Sequence, residues 1–374
     1  MQNYAVNLLT KLLEIYSPFG GEKEISNFLL EEMRSLGFHS WTDEVGNVFG
    51  EIGTGKPSVL LCGHMDTIQG YLPVKHTDGK IYGRGAVDAK APLAAMILAT
   101  SLLQKEGFLG KVIVAGLVDE EGAGRGVRHL LSKNVQADYA IFGEPSGVEN
   151  ITIAYKGSLH LKIIFETKTG HSSAPWLFDN SVEKAFEFWN MIKGIHFLLE
   201  KPESRFYSLT SCITGIKGGD ASSTVPSKCE FHIDLRFPPP LTPQEVFAAV
   251  KESAQKYKAT NPGTSVSFTL EDSNPAFEAN KSSPLIRAMS IAIKKISGKP
   301  ASLLRKTGTG DMNLFGIKTK IPVITYGPGS SHLDHTSDEN IEVKEYLDGV
   351  AVLYEGLKRL YDLEKSTETH KDPN

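Results

Sequence analysis

Apolar residues recur at helical spacing between charged ones over residues 4–15 and 22–36, which predicts two amphipathic helices. The stretch Ser17-Pro-Phe-Gly-Gly21 breaks the pattern between them. Residues 42–52 read as a hairpin turning at Gly46-Asn47. Four short apolar, β-branched runs come next, at 58–63, 111–118, 137–143 and 321–326, each with the character of a buried strand. Helical patterns at 91–104, 122–133 and 341–361 lie between or after them. Such alternation predicts an α/β domain whose sheet is mostly parallel, with helices on both faces.

The middle of the chain follows another rhythm. A strand at 159–165 precedes a Gly-His turn, a helix at 180–195, strands at 207–216 and 228–237, a helix at 242–257 and a strand at 265–270. That order, β-α-β-β-α-β, is a ferredoxin-like α+β module. The expected organisation is a discontinuous domain, residues 1–156 and 273–374, with a smaller domain inserted at 157–272. The polar tail, 365–374, is expected to be disordered.

Composition narrows the class. A chain of 374 residues is too long for one ordinary core. Hydrophobic content of 40% and charged content of 22% fit a soluble globular protein. A formal charge of −4 points to no nucleic-acid partner. No apolar run approaches the roughly 18 residues of a membrane helix, so no membrane partner is expected. The N-terminus has no signal-peptide pattern. Cys62, Cys212 and Cys229 lack C-x-x-C spacing and read as small hydrophobes of a reducing compartment, so the location expected is the cytoplasm.

The chemistry lies just beyond the apolar runs. The first ends in His64-Met-Asp66, the second in Asp119-Glu120-Glu121, the third in Glu144, and a loop carrying His335 follows the fourth. A glycine-punctuated turn, Tyr82-Gly-Arg-Gly-Ala-Val-Asp88, delivers a further carboxylate. Ligand groups of open α/β sheets gather beyond the carboxyl ends of the strands, so these residues face one crevice. Taken singly, each would be a structural or solvated side chain. Together, His64, Asp66, Asp88, Glu120, Glu121, Glu144 and His335 are too many for one tetrahedral zinc ion. They suit two ions about 3.5–4 Å apart that share a carboxylate. Of the neighbours Glu120 and Glu121, one can bind metal while the other serves as general base. Gly83 and Gly85 serve backbone geometry, and His39, His76 and His129 read as ordinary structural histidines.

The set Gly-His-Met-Asp, Gly-Arg-Gly-x-x-Asp-Ala-Lys, Asp-Glu-Glu, Gly-Glu-Pro and Asp-His-Thr-x-x-Glu resembles, in order and over nearly the whole chain, the di-zinc aminoacylase, acetylornithine deacetylase and succinyl-diaminopimelate desuccinylase metallopeptidases. The resemblance implies a zinc-peptidase-like catalytic domain with an inserted lid that also forms the dimer contact. It implies two Zn2+ per subunit, with Co2+ able to substitute. Asp88 would bridge, His64 and Glu144 would complete one site, and Glu121 and His335 the other; the Asp-His-Thr match selects His335 over His332. Glu120 would be the general base acting on a metal-bridging water. Asp66 would orient His64, and His171 in Gly170-His-Ser172 would stabilise the oxyanion. Arg236 matches a position that holds the substrate carboxylate in some members. Many members carry Asn-x-x-Pro in the lid where this chain has Ser223-Thr-Val-Pro226.

Residues 305–313 and 326–336 look most like the branch that releases lysine or ornithine from the C-terminal glutamate of an acidic amino-group carrier protein, in lysine or arginine biosynthesis. Arg305, Gly308, Thr309, Lys306, Lys168 and Lys217 are the expected contacts beside Arg236. The alternatives are acetylornithine, succinyl-diaminopimelate or a small peptide as substrate, or a catalytically silent binding protein on the same scaffold. An intact Glu120 and full ligand set speak against the last.

Overall fold

The computed structural model describes residues 2–133, 135–197, 204–220 and 222–369. The chain packs as two compact units: Met1–Ile153, Ala279–Leu304 and Gly310–Asn374 form the first, Ala154–Glu278 and Arg305–Thr309 the second. In chain order the first six strands of interest are β1 (His39–Thr42), β2 (Val48–Ile52), β3 (Ser58–His64), β4 (Lys111–Leu117), β5 (Tyr139–Gly143) and β6 (Asn150–Tyr155). The insert contributes β7 (Gly157–Glu166), β8 (Thr210–Gly218), β9 (Lys228–Phe237) and β10 (Ser265–Asn274), and β11 (Val323–Thr325) follows.

The first unit is built on a mixed sheet ordered β1-β2-β4-β3-β5-β11-β6. Strands β4, β3, β5 and β11 run parallel. The hairpin β1-β2 and strand β6 are antiparallel flanks, so the mostly parallel expectation holds for the four central strands alone. Those centre strands are buried almost end to end, because helices cover both faces and leave no position for a solvent-facing side chain. The helix Lys90–Lys105 is buried nearly all round and packs against β3 and β4. Register makes the strand ends level: His64 pairs with Leu117, and Gly63 with Gly143. One residue past Gly143 stands Glu144; two to four past Leu117 stand Asp119, Glu120 and Glu121.

The second unit is a four-stranded antiparallel sheet ordered β8-β9-β7-β10, with helices Ser181–Lys193 and Pro243–Thr260. Along β9, Cys229, Phe231, Ile233, Leu235 and Phe237 alternate inward, the period expected of a half-buried strand. They pack with Phe165, Phe188 and Tyr257 into one core. Thr242 and Glu245 form a reciprocal capping box with Pro243 at the first helical position, which fixes where the second helix starts.

Residues 305–309 belong with the insert; there the Lys156 N–H donates to the Lys306 carbonyl at 3.2 Å. The tail expectation needs correction: the last helix, Val343–Thr369, takes up 365–369, and residues 370–374 lie outside the described residues. Cys62 and Cys229 are buried, but Cys212 is exposed, so only two of the cysteines act as core hydrophobes. Among the described residues no helix is long and apolar enough to cross a membrane.

Candidate metal centre

Strand β3 delivers His64 as its last residue, buried, with Nδ1 2.9 Å from the Asp66 carbonyl oxygen. In the neutral ring that contact puts the proton on Nδ1 and leaves Nε2 as the ligand atom. The Asp66 carboxylate has a further task. It accepts from the backbone N–H groups of Glu120 (Oδ1, 3.1 Å) and Glu121 (Oδ2, 3.0 Å), and its closest approach to His64 Nδ1 is 3.7 Å. Asp66 therefore orients His64 through its carbonyl and anchors the Asp119–Glu121 loop through its side chain. Asp119 holds that turn from below in the left-handed region (φ 64°), its N–H donating to Glu22 Oε1 at 3.1 Å.

The turn before Asp88 needs glycine at 85. There φ is +88°, and a Cβ would lie 2.8 Å from Lys90 Cδ. Asp88 then presents one oxygen to each histidine. Oδ1 lies 3.1 Å from His64 Nε2, and Oδ2 lies 3.1 Å from His335 Nε2. Glu121 Oε1 is 2.9 Å from the same His335 nitrogen, while Glu144 Oε1 is 3.8 Å from His64 Nε2. His332 is exposed. Donor atoms of His64, Asp88 and Glu121 all fall within 4.8 Å of one another, and such a donor set fits a divalent metal.

The charge balance tells the same story. Burial pulls the His64 pKa down, but its hydrogen bond to Asp88 and the charges of Glu144, Asp88 and Asp66 outweigh that and raise it well above the usual value. Burial raises the Glu120 carboxyl well above the carboxylate range, helped by the charge of Glu144. Burial also raises Glu121, and it lifts Asp311 to about 7. The hydrogen bond to Asp88 leads the effects that raise His335 to about 9. In short, crowded carboxylates hold protons on their neighbours, and a metal cation would replace those protons.

A pH dependence follows from the sign of the His335 shift. Its imidazolium is protonated at neutral pH, and ligation requires the neutral ring. Metal uptake at about pH 7 is therefore expected to release protons, and apparent affinity should fall as pH is lowered. Calorimetric zinc titrations in buffers of different ionisation enthalpy read this directly; heats independent of buffer would contradict it.

In the second unit, Gly170 precedes His171 because a Cβ there would meet the Phe178 ring at 2.1 Å. His171 is exposed, and its Nδ1 accepts from the Ser173 N–H at 3.1 Å, which puts the proton of the neutral ring on Nε2. The Ser223 carbonyl accepts from the Ser172 N–H at 2.9 Å, so the segment bearing Ser223 is tied to the His171 turn by backbone. Two of the expected basic contacts, Arg305 and Arg236, carry carboxylate partners within the unit. Arg305 donates to Glu278 (Nη2, 2.7 Å) and to the Tyr207 hydroxyl (Nε, 2.9 Å). Arg236 forks onto Asp234 at 2.9 and 3.0 Å and reaches Thr309 Oγ1 at 3.3 Å. Gly308, Lys168 and Lys217 are exposed.

The chain matches the description peptidase family M20/M25/M40 over residues 60–359. The chain belongs to that family. As an M20 chain it is a metal-dependent hydrolase. It is 36% identical over 369 residues to a Pyrococcus furiosus protein, covering 95% of this chain and 97% of that one. That protein is provisionally named LysW-lysine/LysW-ornithine hydrolase. A Saccharolobus solfataricus protein with the same name, unqualified, is 33% identical over 358 residues, 96% of each chain. A Staphylococcus aureus tripeptidase structure superposes with a TM-score of 0.84 at 22% identity, covering 97% of this chain and 99% of that one. A Bacillus subtilis protein described as a dinuclear metal-binding peptidase of family M20 has a TM-score of 0.73 at 16% identity, with 97% and 98% coverage. For this M20 chain, sequence reasoning gave no role to Glu22, Arg84, Asp311 or Glu339. The signal for two of them was present, since Arg84 lies in the Gly-Arg-Gly turn and Glu339 ends the Asp-His-Thr-x-x-Glu motif.

Proposed function

We propose that this M20 hydrolase binds two zinc ions, replaceable by cobalt, and releases lysine or ornithine from the C-terminal glutamate of an acidic amino-group carrier protein in the cytoplasm. The observation that carries the two-metal reading is the split of Asp88, one carboxylate oxygen toward His64 and the other toward His335. Asp88 would be shared, His64 and Glu144 would hold one ion, and Glu121 and His335 the other. When bound, the ions would supply a Lewis acid for the scissile carbonyl and acidify the attacking water.

The protein's own residues do the rest. Glu120 stands beside Glu121 on the loop that Asp66 anchors, and among the described residues its carboxylate makes no hydrogen bond. It takes the proton from the attacking water and delivers it to the departing amine. The His171 Nε2–H is the proposed donor to the oxygen on which negative charge develops. Arg236 and Arg305 can receive an acidic substrate only by exchanging a present carboxylate partner or through their remaining N–H groups. A homodimer formed through the insert completes the reading.

Support for the substrate comes from the relatives, whose names specify LysW-borne lysine or ornithine over nearly the full length of both chains. A panel of the carrier conjugates, acetylornithine, succinyl-diaminopimelate and dipeptides, assayed side by side with zinc, is expected to favour the conjugates by at least tenfold in kcat/KM. Efficient acetylornithine cleavage with no conjugate cleavage would overturn the substrate assignment and leave the hydrolase class intact.

A further inference from the structure

Glu339 is buried and lies four residues beyond His335. Its Oε1 accepts from the backbone N–H groups of Val87 (2.9 Å) and Asp88 (3.1 Å), and its Oε2 takes Arg84 Nη1 at 2.8 Å. The backbone adds to this grip: the Gly83 N–H donates to the Glu339 carbonyl at 3.2 Å, and Asn340 pairs with Tyr82. Arg84 in turn donates from Nε to the Gly70 carbonyl at 3.1 Å, in the loop that follows Asp66. One carboxylate thus fixes the main chain of the shared ligand and tethers the loop that bears His335.

The two halves of the site are unequally supported without it. His64 ends a central strand, and its side chain is 1% exposed. Glu144 follows the end of β5. His335, by contrast, stands on a loop with φ of 62°, and its side chain is 49% exposed. A ligand on a strand end keeps its place through the sheet. A ligand on a loop needs its own tether.

We propose that Glu339 is a positioning residue that holds Asp88 and the His335 loop in register, so that the metal position built from Asp88, Glu121 and His335 depends on it. The position built from His64 and Glu144 shares Asp88 but keeps its other two ligands at strand ends, so it depends on Glu339 far less. This inference rests on the two-metal reading. It also makes the two sites non-equivalent: the strand-end site fills first, and the loop site fills second and more weakly.

The test is a cobalt titration of metal-free protein, read by equilibrium metal content and visible absorption, with melting of the metal-free form as the control. In Glu339→Ala the first equivalent should bind within about threefold of wild type. The second should weaken by about 10- to 100-fold, the range for losing a group that orients a ligand. Its absorption bands should shift, and kcat should recover at high metal with KM unchanged. Unaltered second-equivalent affinity and spectrum would overturn the proposal. Equal weakening of both equivalents in a protein with wild-type melting would do the same. Should Glu339→Ala not fold, Glu339→Asp, which keeps the charge toward Arg84 but shortens the reach to Asp88, is read by the same criteria. Saturation of wild type at one equivalent would instead refute the two-metal reading beneath it.

Discussion

Glu120→Gln is expected to retain both metals and to lose kcat by about a hundred- to ten-thousandfold, the contribution of a positioned general base. Glu120 and Glu121 are neighbours on a loop held by the two oxygens of Asp66. Glu121 turns to His335, at 2.9 Å, and Glu120 makes no such contact. Removal of the Glu120 charge therefore leaves the candidate ligand set whole. Glutamine has the same shape but no basic oxygen, so binding of substrate should change little and proton transfer should fail. Metal analysis beside steady-state kinetics separates the two effects. A mutant with undiminished kcat would end the assignment of Glu120 as base, and one that lost a metal would make it a ligand.

His64→Ala should remove one metal equivalent and lower activity at least a hundredfold. His64 is the buried member of the site, and its Nε2 is the atom that faces both Asp88 and Glu144. The substitution also strips the Asp66 carbonyl of its ring partner, and an unpaired buried acceptor costs about 1–3 kcal/mol. Some loss of melting temperature should therefore accompany the loss of metal. Elemental analysis decides the matter: unchanged metal content in a folded mutant would refute the ligand role.

The strand-end carboxylates and His64 were legible in sequence because a buried parallel strand must end where its apolar run ends. The level register of β3, β4 and β5 then brings the next residues together. The inserted module was legible for a related reason, since its apolar runs and helical patterns follow one another in the order β-α-β-β-α-β. What the sequence hid was which atom does what. An Asp two residues after a His does not reveal that its carbonyl serves the ring while its carboxylate serves another loop. Arg236 and Arg305 read as substrate contacts because pairing with Asp234 and Glu278 is a matter of geometry, with Glu278 27 residues from Arg305. Residues 305–309 follow the insert through backbone bonds that leave no pattern in side chains. Glu339 closes the Asp-His-Thr-x-x-Glu motif, but its contact with the main chain of Asp88, 251 residues away, lies beyond any local signal.

The most direct test of the central claim is amine release from the lysine–carrier conjugate as zinc is returned to metal-stripped protein. Release should be absent without metal and should rise to a plateau at two equivalents per chain, with free lysine and intact carrier as the products. Undiminished release by the stripped protein, or no release from the conjugate at any metal loading, would contradict it.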